Sequence, residues 1–280
     1  MARRIILQLG LHKTATTSLQ DFLMEHHRQL AIKGVRYIPL QRMRGDITPL
    51  FWSLDKGRRE KLAQFVDEVD HHTVLFSDEN IIGTPGDLTQ GTLYPYARNR
   101  IETFCEEMAG REITLFLTLR EPHRFLVSMY CEFLRHNEFI TFGEYLAAFD
   151  VPAFSYRKTF GWLRTLPPNT RVRVIPFESH HGGGVIHIAR QLVEEACGLD
   201  SGIDPEAFPG KRSRAAFSVE ELDLAADIAR RADPRVTQFF LNLIDHREKR
   251  FGSTIFEPLP AQLAAVLSER YAADLAFFRG

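Results

Sequence analysis

Lys13 stands between His12 and the hydroxyl-bearing residues Thr14, Thr16, Thr17 and Ser18, a run interrupted only by Ala15. The apolar run Ile5-Ile6-Leu7-Gln8-Leu9 comes just before. A lysine here offers a mobile positive charge and the hydroxyls offer hydrogen-bond donors. Together they suit a phosphate-like group whose negative charge changes during a reaction. A strand that feeds a helix through a tight loop adds to this. The first N–H groups of the helix have no partner within it and lie at the positive end of its dipole. The same residues would also serve a helix capped by threonine, with the lysine exposed to solvent.

A second set, in "LTLREPHRFLVSMY", has the same logic at another strand end. Arg120 leaves an apolar strand, Pro122 suits the first turn of a helix, where its missing N–H costs nothing, and Ser128 follows on that helix. Residues eight apart on a helix lie on nearly the same face, so Arg120 and Ser128 could clamp an anion, with Arg124 one turn before Ser128 to assist. Taken alone, this segment also reads as a solvated helix start with an incidental arginine. Two such sets in one chain imply a ligand with two separate anionic groups. The loop that wraps the β-phosphate of a nucleoside triphosphate needs four residues between its first glycine and its Gly-Lys pair. Only Leu11 and His12 separate Gly10 from Lys13, and no glycine precedes the lysine.

Both sets need strand ends gathered at one edge. Residues 4–9 read as a buried strand, 16–33 as a helix stopped by Gly34, and 35–38 as a strand halted by Pro39. Residues 39–57 read as an aromatic surface loop and 58–69 as a helix. A strand over 73–76 leads into Ser77-Asp78-Glu79-Asn80 and a Gly/Pro/Thr-rich loop over 83–92. A helix over 97–108, a strong strand over 113–119 and a helix after Pro122 follow. A helix over 156–166, a strand over 172–175 and a helix over 184–197 complete the alternation, and the chain from Ser218 on is mostly helical. Alternating strands and helices predict an α/β fold with a parallel sheet covered on both faces. No repeat or clear linker divides the 280 residues, so residues 1–280 read as one domain.

Composition narrows the partners. The chain is 44% hydrophobic and 25% charged, with a formal net charge of −1, so global charge makes no case for nucleic acid or an anionic membrane. Three scattered cysteines, Cys105, Cys131 and Cys197, argue for a reducing compartment. The apolar run after Met1-Ala2-Arg3-Arg4 is too short for a secretory signal, and no window approaches a membrane span, which reads as a cytoplasmic protein.

The two motifs resemble those of sulfotransferases that use 3′-phosphoadenosine 5′-phosphosulfate (PAPS), of the bacterial and carbohydrate type. That family's first loop typically reads Pro-Lys-[Ser/Thr]-Gly-Thr-Thr, and here it is His12-Lys13-Thr14-Ala15-Thr16-Thr17. Its second motif has the spacing of Arg120, Pro122 and Ser128. "WLRTLPPNTRVRVIPFE" (162–178) and "LSERYAADLAFF" are similar to further family segments, and "FPGKRSR" (208–214) to a loop that closes over the nucleotide. The resemblance implies a sulfotransferase architecture like that of P-loop NTPases and transfer of a sulfuryl group to an acceptor hydroxyl or amine. Lys13 would stabilise the bridging oxygen as it leaves. Thr14, Thr16, Thr17, Ser18 and the backbone near Ala15 would hold the 5′-phosphosulfate, and Arg120 and Ser128 the 3′-phosphate. Alanine at 15 replaces the usual glycine, so the backbone there either avoids positive φ or carries strain.

The acceptor must lose a proton as it attacks sulfur. Glu79 is the first choice for the base, because it follows a strand at the edge where ligands bind in such folds. Asp78 and His12 compete for the role. Adjacent histidines at 26–27, 71–72 and 180–181 point apart and have no supporting carboxylate or cysteine spacing, so no metal is expected. Arginines and aromatics in 39–57, including Arg42, Arg44, Phe51 and Trp52, and the segment 135–139 suit a saccharide or other small acceptor. Oligomeric state is not readable. The rival enzyme is a P-loop kinase or NTPase using ATP and magnesium, for which "TVLFSDE" would be the metal-binding strand. A non-catalytic nucleotide-binding protein is the third reading.

Overall fold

The computed structural model describes residues 3–53, 56–178, 184–199, 201–205, 216–246 and 254–279. Five strands, β1 (Arg4–Gln8), β2 (Val35–Tyr37), β3 (Thr73–Ser77), β4 (Glu112–Leu119) and β5 (Thr170–Pro176), form one parallel sheet in the order β2-β3-β1-β4-β5. Strand β1 lies at the centre, with Gln8 level with Ser77 on one side and Phe116 on the other. The chain winds outward to β2 and back to β3, then crosses β1 to build β4 and β5. Winding therefore reverses at β1, and the loops after β1, β3 and β4 open into one crevice at the carboxyl edge. Ligands bind at such a reversal in open α/β sheets.

Apolar residues alternate along the strands and fill two cores, as a sheet covered on both faces requires. Ile6, Leu75 and Phe116 pack with Leu19, Phe22 and Leu23 of the Thr16–Glu25 helix and Ile188 and Leu192 of the Gly184–Cys197 helix. On the other face Ile5, Leu7, Val74, Phe76 and Leu117 meet the Ala97–Glu107 and Pro122–His136 helices through Ile101, Phe104, Phe125 and Met129. The Pro234–Asp245 and Ala261–Arg279 helices pack against the Pro122–His136 helix. The result is a single α/β domain of Rossmann-like arrangement. Among the described residues no helix is long and apolar enough to cross a membrane.

Several elements differ from the expected ones. The helix expected over 16–33 is broken at His26 (φ −94°, ψ 11°), whose Nδ1 lies 2.9 Å from Phe22 O, and resumes as His27–Ile32. Residues 40–52 are helical rather than a loop. Leu40–Arg42, a π-turn over Met43–Ile47 and Thr48–Trp52 run on from one another. Met43, Ile47 and Phe51, four apart, bury one side of this segment. Gly45 and Pro49 masked the period, yet the proline sits in the first turn of the last helix, where it is tolerated. The loop over 83–92 contains the 3₁₀ helix Pro85–Gln90, opened by a capping box between Thr84 and Asp87. The helix over 156–166 tightens to 3₁₀ geometry after Phe160.

Candidate functional site

The loop after β1 stays against β4: Leu9 N–H donates to Phe116 O at 2.7 Å and Leu11 N–H to Thr118 O at 3.2 Å. Lys13 (φ 67°) and Ala15 (φ 58°, ψ 29°) are both left-handed, which turns the chain sharply into the Thr16–Glu25 helix. Ala15 thus takes the strained alternative. The N-cap Ala15 offers no capping side chain to the first N–H groups of the helix. Thr16 Oγ1 is buried and has no hydrogen-bond partner; Ser18 is buried and Thr17 exposed. Thr14 is placed differently from expectation. Its hydroxyl donates to Leu11 O at 2.7 Å and its N–H reaches the same oxygen, so Thr14 shapes the loop and offers no free proton to an anion. Gly10 lies under these hydroxyls. A methyl there would come 2.6 Å from Gln8 Nε2, 2.9 Å from Thr16 Oγ1 and 3.0 Å from Thr14 Oγ1.

Arg120, at the end of β4, reaches across to this loop, and its Nη1 donates to Lys13 O at 2.7 Å. Its guanidinium lies over Phe177 at 5.3 Å, and its Nε is buried without a partner. Burial pushes the Arg120 guanidinium down from its ordinary value, opposed by Glu178. Tyr156 Oη–H donates to Arg120 O at 2.6 Å and Tyr271 Oη–H to Leu119 O at 3.2 Å, which fixes the strand end. Ser128 is buried in the Pro122–His136 helix. Arg124 does not join it: it is exposed and paired with Glu121 at 3.8 Å.

The carboxylate that meets Lys13 is one that sequence reasoning missed. Lys13 Nζ donates to Glu132 Oε2 at 3.1 Å, and Arg135 Nη1 donates to the same oxygen at 3.0 Å. Arg135 in turn donates through Nε and Nη2 to Asp245 Oδ1 at 2.9 and 2.8 Å. Four residues separate Glu132 from Ser128, so the two share a helix face, and that spacing was the available signal. Burial pushes the Lys13 ammonium down from its ordinary value, while Glu132 pushes it up and Arg135 down.

The three candidate bases gather at the next strand end. Glu79 is nearly buried; its Oε1 accepts from Arg44 Nη2 at 2.9 Å and its Oε2 from Gln20 Nε2 at 3.4 Å. Asp78 is fully buried and caps the Glu79–Ile81 turn. It accepts from Asn80 N–H at 3.1 Å and the Thr48 hydroxyl at 2.6 Å, with Arg44 Nε at 3.6 Å. His12 has both ring nitrogens engaged, Nδ1 with Tyr94 Oη at 2.8 Å and Nε2 with Asn80 Oδ1 at 3.1 Å. These contacts make Asp78 and His12 part of the framework and leave Glu79 beside a half-exposed arginine. Trp52 Nε1–H donates to Asn80 O and Arg100 to Ile81 O, and Arg100 lies 5.4 Å from the Trp52 and Tyr96 rings. Phe51 and Arg135, considered as acceptor-lining, are instead buried.

Among the described residues no three His, Cys, Asp or Glu side chains are grouped to hold a metal ion. The segment 208–214 and the histidines at 180–181 lie outside the described residues. Fold and site together define an α/β protein whose central strand ends in a hydroxyl-bearing loop bounded by paired cations and carboxylates. Comparison with protein-family models, curated proteins and solved structures returns no match.

Proposed function

We propose that the protein is a PAPS-dependent sulfotransferase, with the P-loop-like architecture of that class. It moves a sulfuryl group to the hydroxyl or amine of a small acceptor, a saccharide or another metabolite. The observation that carries this reading is the meeting of the two motifs at one residue. Arg120 Nη1 lies 2.7 Å from Lys13 O, and Lys13 Nζ reaches Glu132, one helical turn beyond Ser128. Sites spaced in this way suit a ligand with an anionic group at each end. The unpartnered Thr16 Oγ1 and Arg120 Nε, one in each motif, are donors left over by the fold, and buried orphans of this kind call for a partner.

In the proposed step the acceptor oxygen attacks sulfur in line with the bond to the bridging phosphate oxygen. That bond breaks, its electron pair leaves with adenosine 3′,5′-bisphosphate, and the acceptor proton passes to Glu79. Lys13 meets the charge that develops on the leaving oxygen. Thr16, Ser18 and the helix N–H groups hold the 5′ end, and Arg120 and Ser128 hold the 3′-phosphate. The scattered free cysteines fit a reducing, cytoplasmic setting.

Calorimetry tests the donor. Adenosine 3′,5′-bisphosphate should bind far more tightly than 5′-AMP or ATP, and equal affinity for 5′-AMP removes the 3′-phosphate role. A labelled-sulfate screen with PAPS against glycans, lipids and phenols tests the transfer. Lys13→Ala should reduce turnover more than bisphosphate binding, whereas Arg120→Ala should cost about 1.5–3 kcal/mol of binding. Normal turnover by Lys13→Ala refutes the mechanism, and magnesium-dependent ATP consumption replaces it with phosphoryl transfer.

A further inference from the structure

We propose that Glu132 is a positioning residue for Lys13: it holds the lysine ammonium between the two motifs until an anion takes it over. This inference uses the assignment of Lys13 to the reaction, but its geometry stands apart from that assignment. Both ends of Lys13 are held by the same β4-to-helix unit. Arg120 fixes its carbonyl at 2.7 Å and Glu132 its ammonium at 3.1 Å. Glu132 is itself anchored. Its Oε2 is shared with Arg135, whose side chain is 3% exposed, and Arg135 is held by Asp245 and lies 5.0 Å over Phe217. The ion chain Lys13–Glu132–Arg135–Asp245 thus runs from the crevice to the Pro234–Asp245 helix, and Gln238 adds a hydrogen bond to Arg135 O at 3.0 Å. A carboxylate held this firmly has no freedom to follow Lys13. The lysine must leave Glu132 to reach a donor, and the flexible four-carbon stem makes that exchange simple.

The charged groups around Lys13 fix the sign of the effect. Glu132 faces it from the Pro122–His136 helix and favours the charged ammonium, while Arg135 on that helix disfavours it. Arg120 touches the Lys13 carbonyl, and the exposed His136 lies 3.5 Å from Glu132 Oε1. Burial already lowers the pH at which Lys13 loses its proton. Removing the Glu132 charge lowers it again, so the ammonium is lost earlier as pH rises.

Competitive amine labelling of the full-length protein across pH, read by mass spectrometry at Lys13, measures this without any activity. Glu132→Gln should move the Lys13 midpoint down by about one unit, a tenfold change in the ratio of charged to neutral amine at fixed pH. Glu132→Asp, which keeps the charge, should recover part of the shift. An unchanged midpoint in Glu132→Gln overturns the proposal, as does an Asp variant that behaves like Gln. A shifted midpoint in a protein that transfers no sulfate keeps the positioning role and removes only the sulfotransferase assignment. With an active acceptor in hand, the alkaline limb of kcat/KM should move with the labelling midpoint, and a stationary limb overturns the link to the reaction.

Discussion

Ala15→Gly should make the protein more stable. Ala15 has φ 58° and ψ 29°, the left-handed region, where an L-residue costs about 1–2 kcal/mol because its Cβ crowds the backbone. Glycine removes that crowding but gives back about 0.5–1 kcal/mol through the greater freedom of the unfolded chain. The difference is a net gain of about 0.5–1 kcal/mol. For domains approaching this size, 1 kcal/mol moves Tm by about 2–4 °C, so the expected rise is about 1–4 °C. Ala15→Val supplies the opposite sign, since a β-branched side chain fits this region worst and should lower Tm. Thermal unfolding of the three proteins, by calorimetry at one scan rate, decides it. A lower Tm for Ala15→Gly, or a valine variant as stable as the parent, means that residue 15 is not left-handed in solution. The account of the helix N-terminus as an open anion site would then lose its geometry.

Other perturbations act on the site more directly. Gly10→Ala puts a methyl 2.6 Å from Gln8 Nε2 and 2.9 Å from Thr16 Oγ1, so bisphosphate affinity should fall at least about tenfold, the loss of one good contact. Unchanged affinity by calorimetry would show that the hydroxyls over Gly10 do not touch the ligand. Glu79→Gln should cut turnover by roughly 10²–10⁴-fold with bisphosphate affinity nearly intact. Normal turnover by Glu79→Gln removes Glu79 as the base.

How much of this was open to sequence reading follows from the range of the interactions involved. Strand β3 is a short buried apolar run and the Gly184–Cys197 helix carries a regular apolar period, and the structure places both close to the expected bounds. The Lys13 loop was legible because its hydroxyls are neighbours in the chain. Its φ values were not, since alanine at 15 accepts the strain that glycine avoids. The segment 40–52 hid its helical period behind Gly45 and Pro49, and only burial of Met43, Ile47 and Phe51 makes the four-residue spacing count. Glu132 lies 119 positions from Lys13, and no local pattern links them. Arg44 likewise reaches Asp78 and Glu79 only because the turn over Met43–Ile47 packs beside the end of β3. Charge pairing across the crevice is tertiary information.

That pairing bears on how an anion would enter. Lys13, Arg44, Arg120 and Arg135 face Glu132, Asp78, Glu79, Glu178 and Asp245, so every cation of the crevice already has a carboxylate near it. An entering anion does not meet a bare positive surface; it exchanges with a carboxylate. For Lys13 the exchange is favourable in two respects. Its side chain is already ordered by Glu132, so much of the roughly 1.5–2 kcal/mol of rotamer entropy a lysine loses on immobilisation has been lost in the fold. The ion pair given up is only part-buried, and Glu132 keeps Arg135 as a partner after Lys13 departs, so no carboxylate is left unpaired. Arg120 differs: its Nη1 stays on the Lys13 carbonyl while its buried Nε has no partner, so in the proposed reading it would take the 3′-phosphate without giving up a contact. A site with one fixed cation and one exchangeable cation would suit the proposed donor, which must be held at one end while its charge changes at the other.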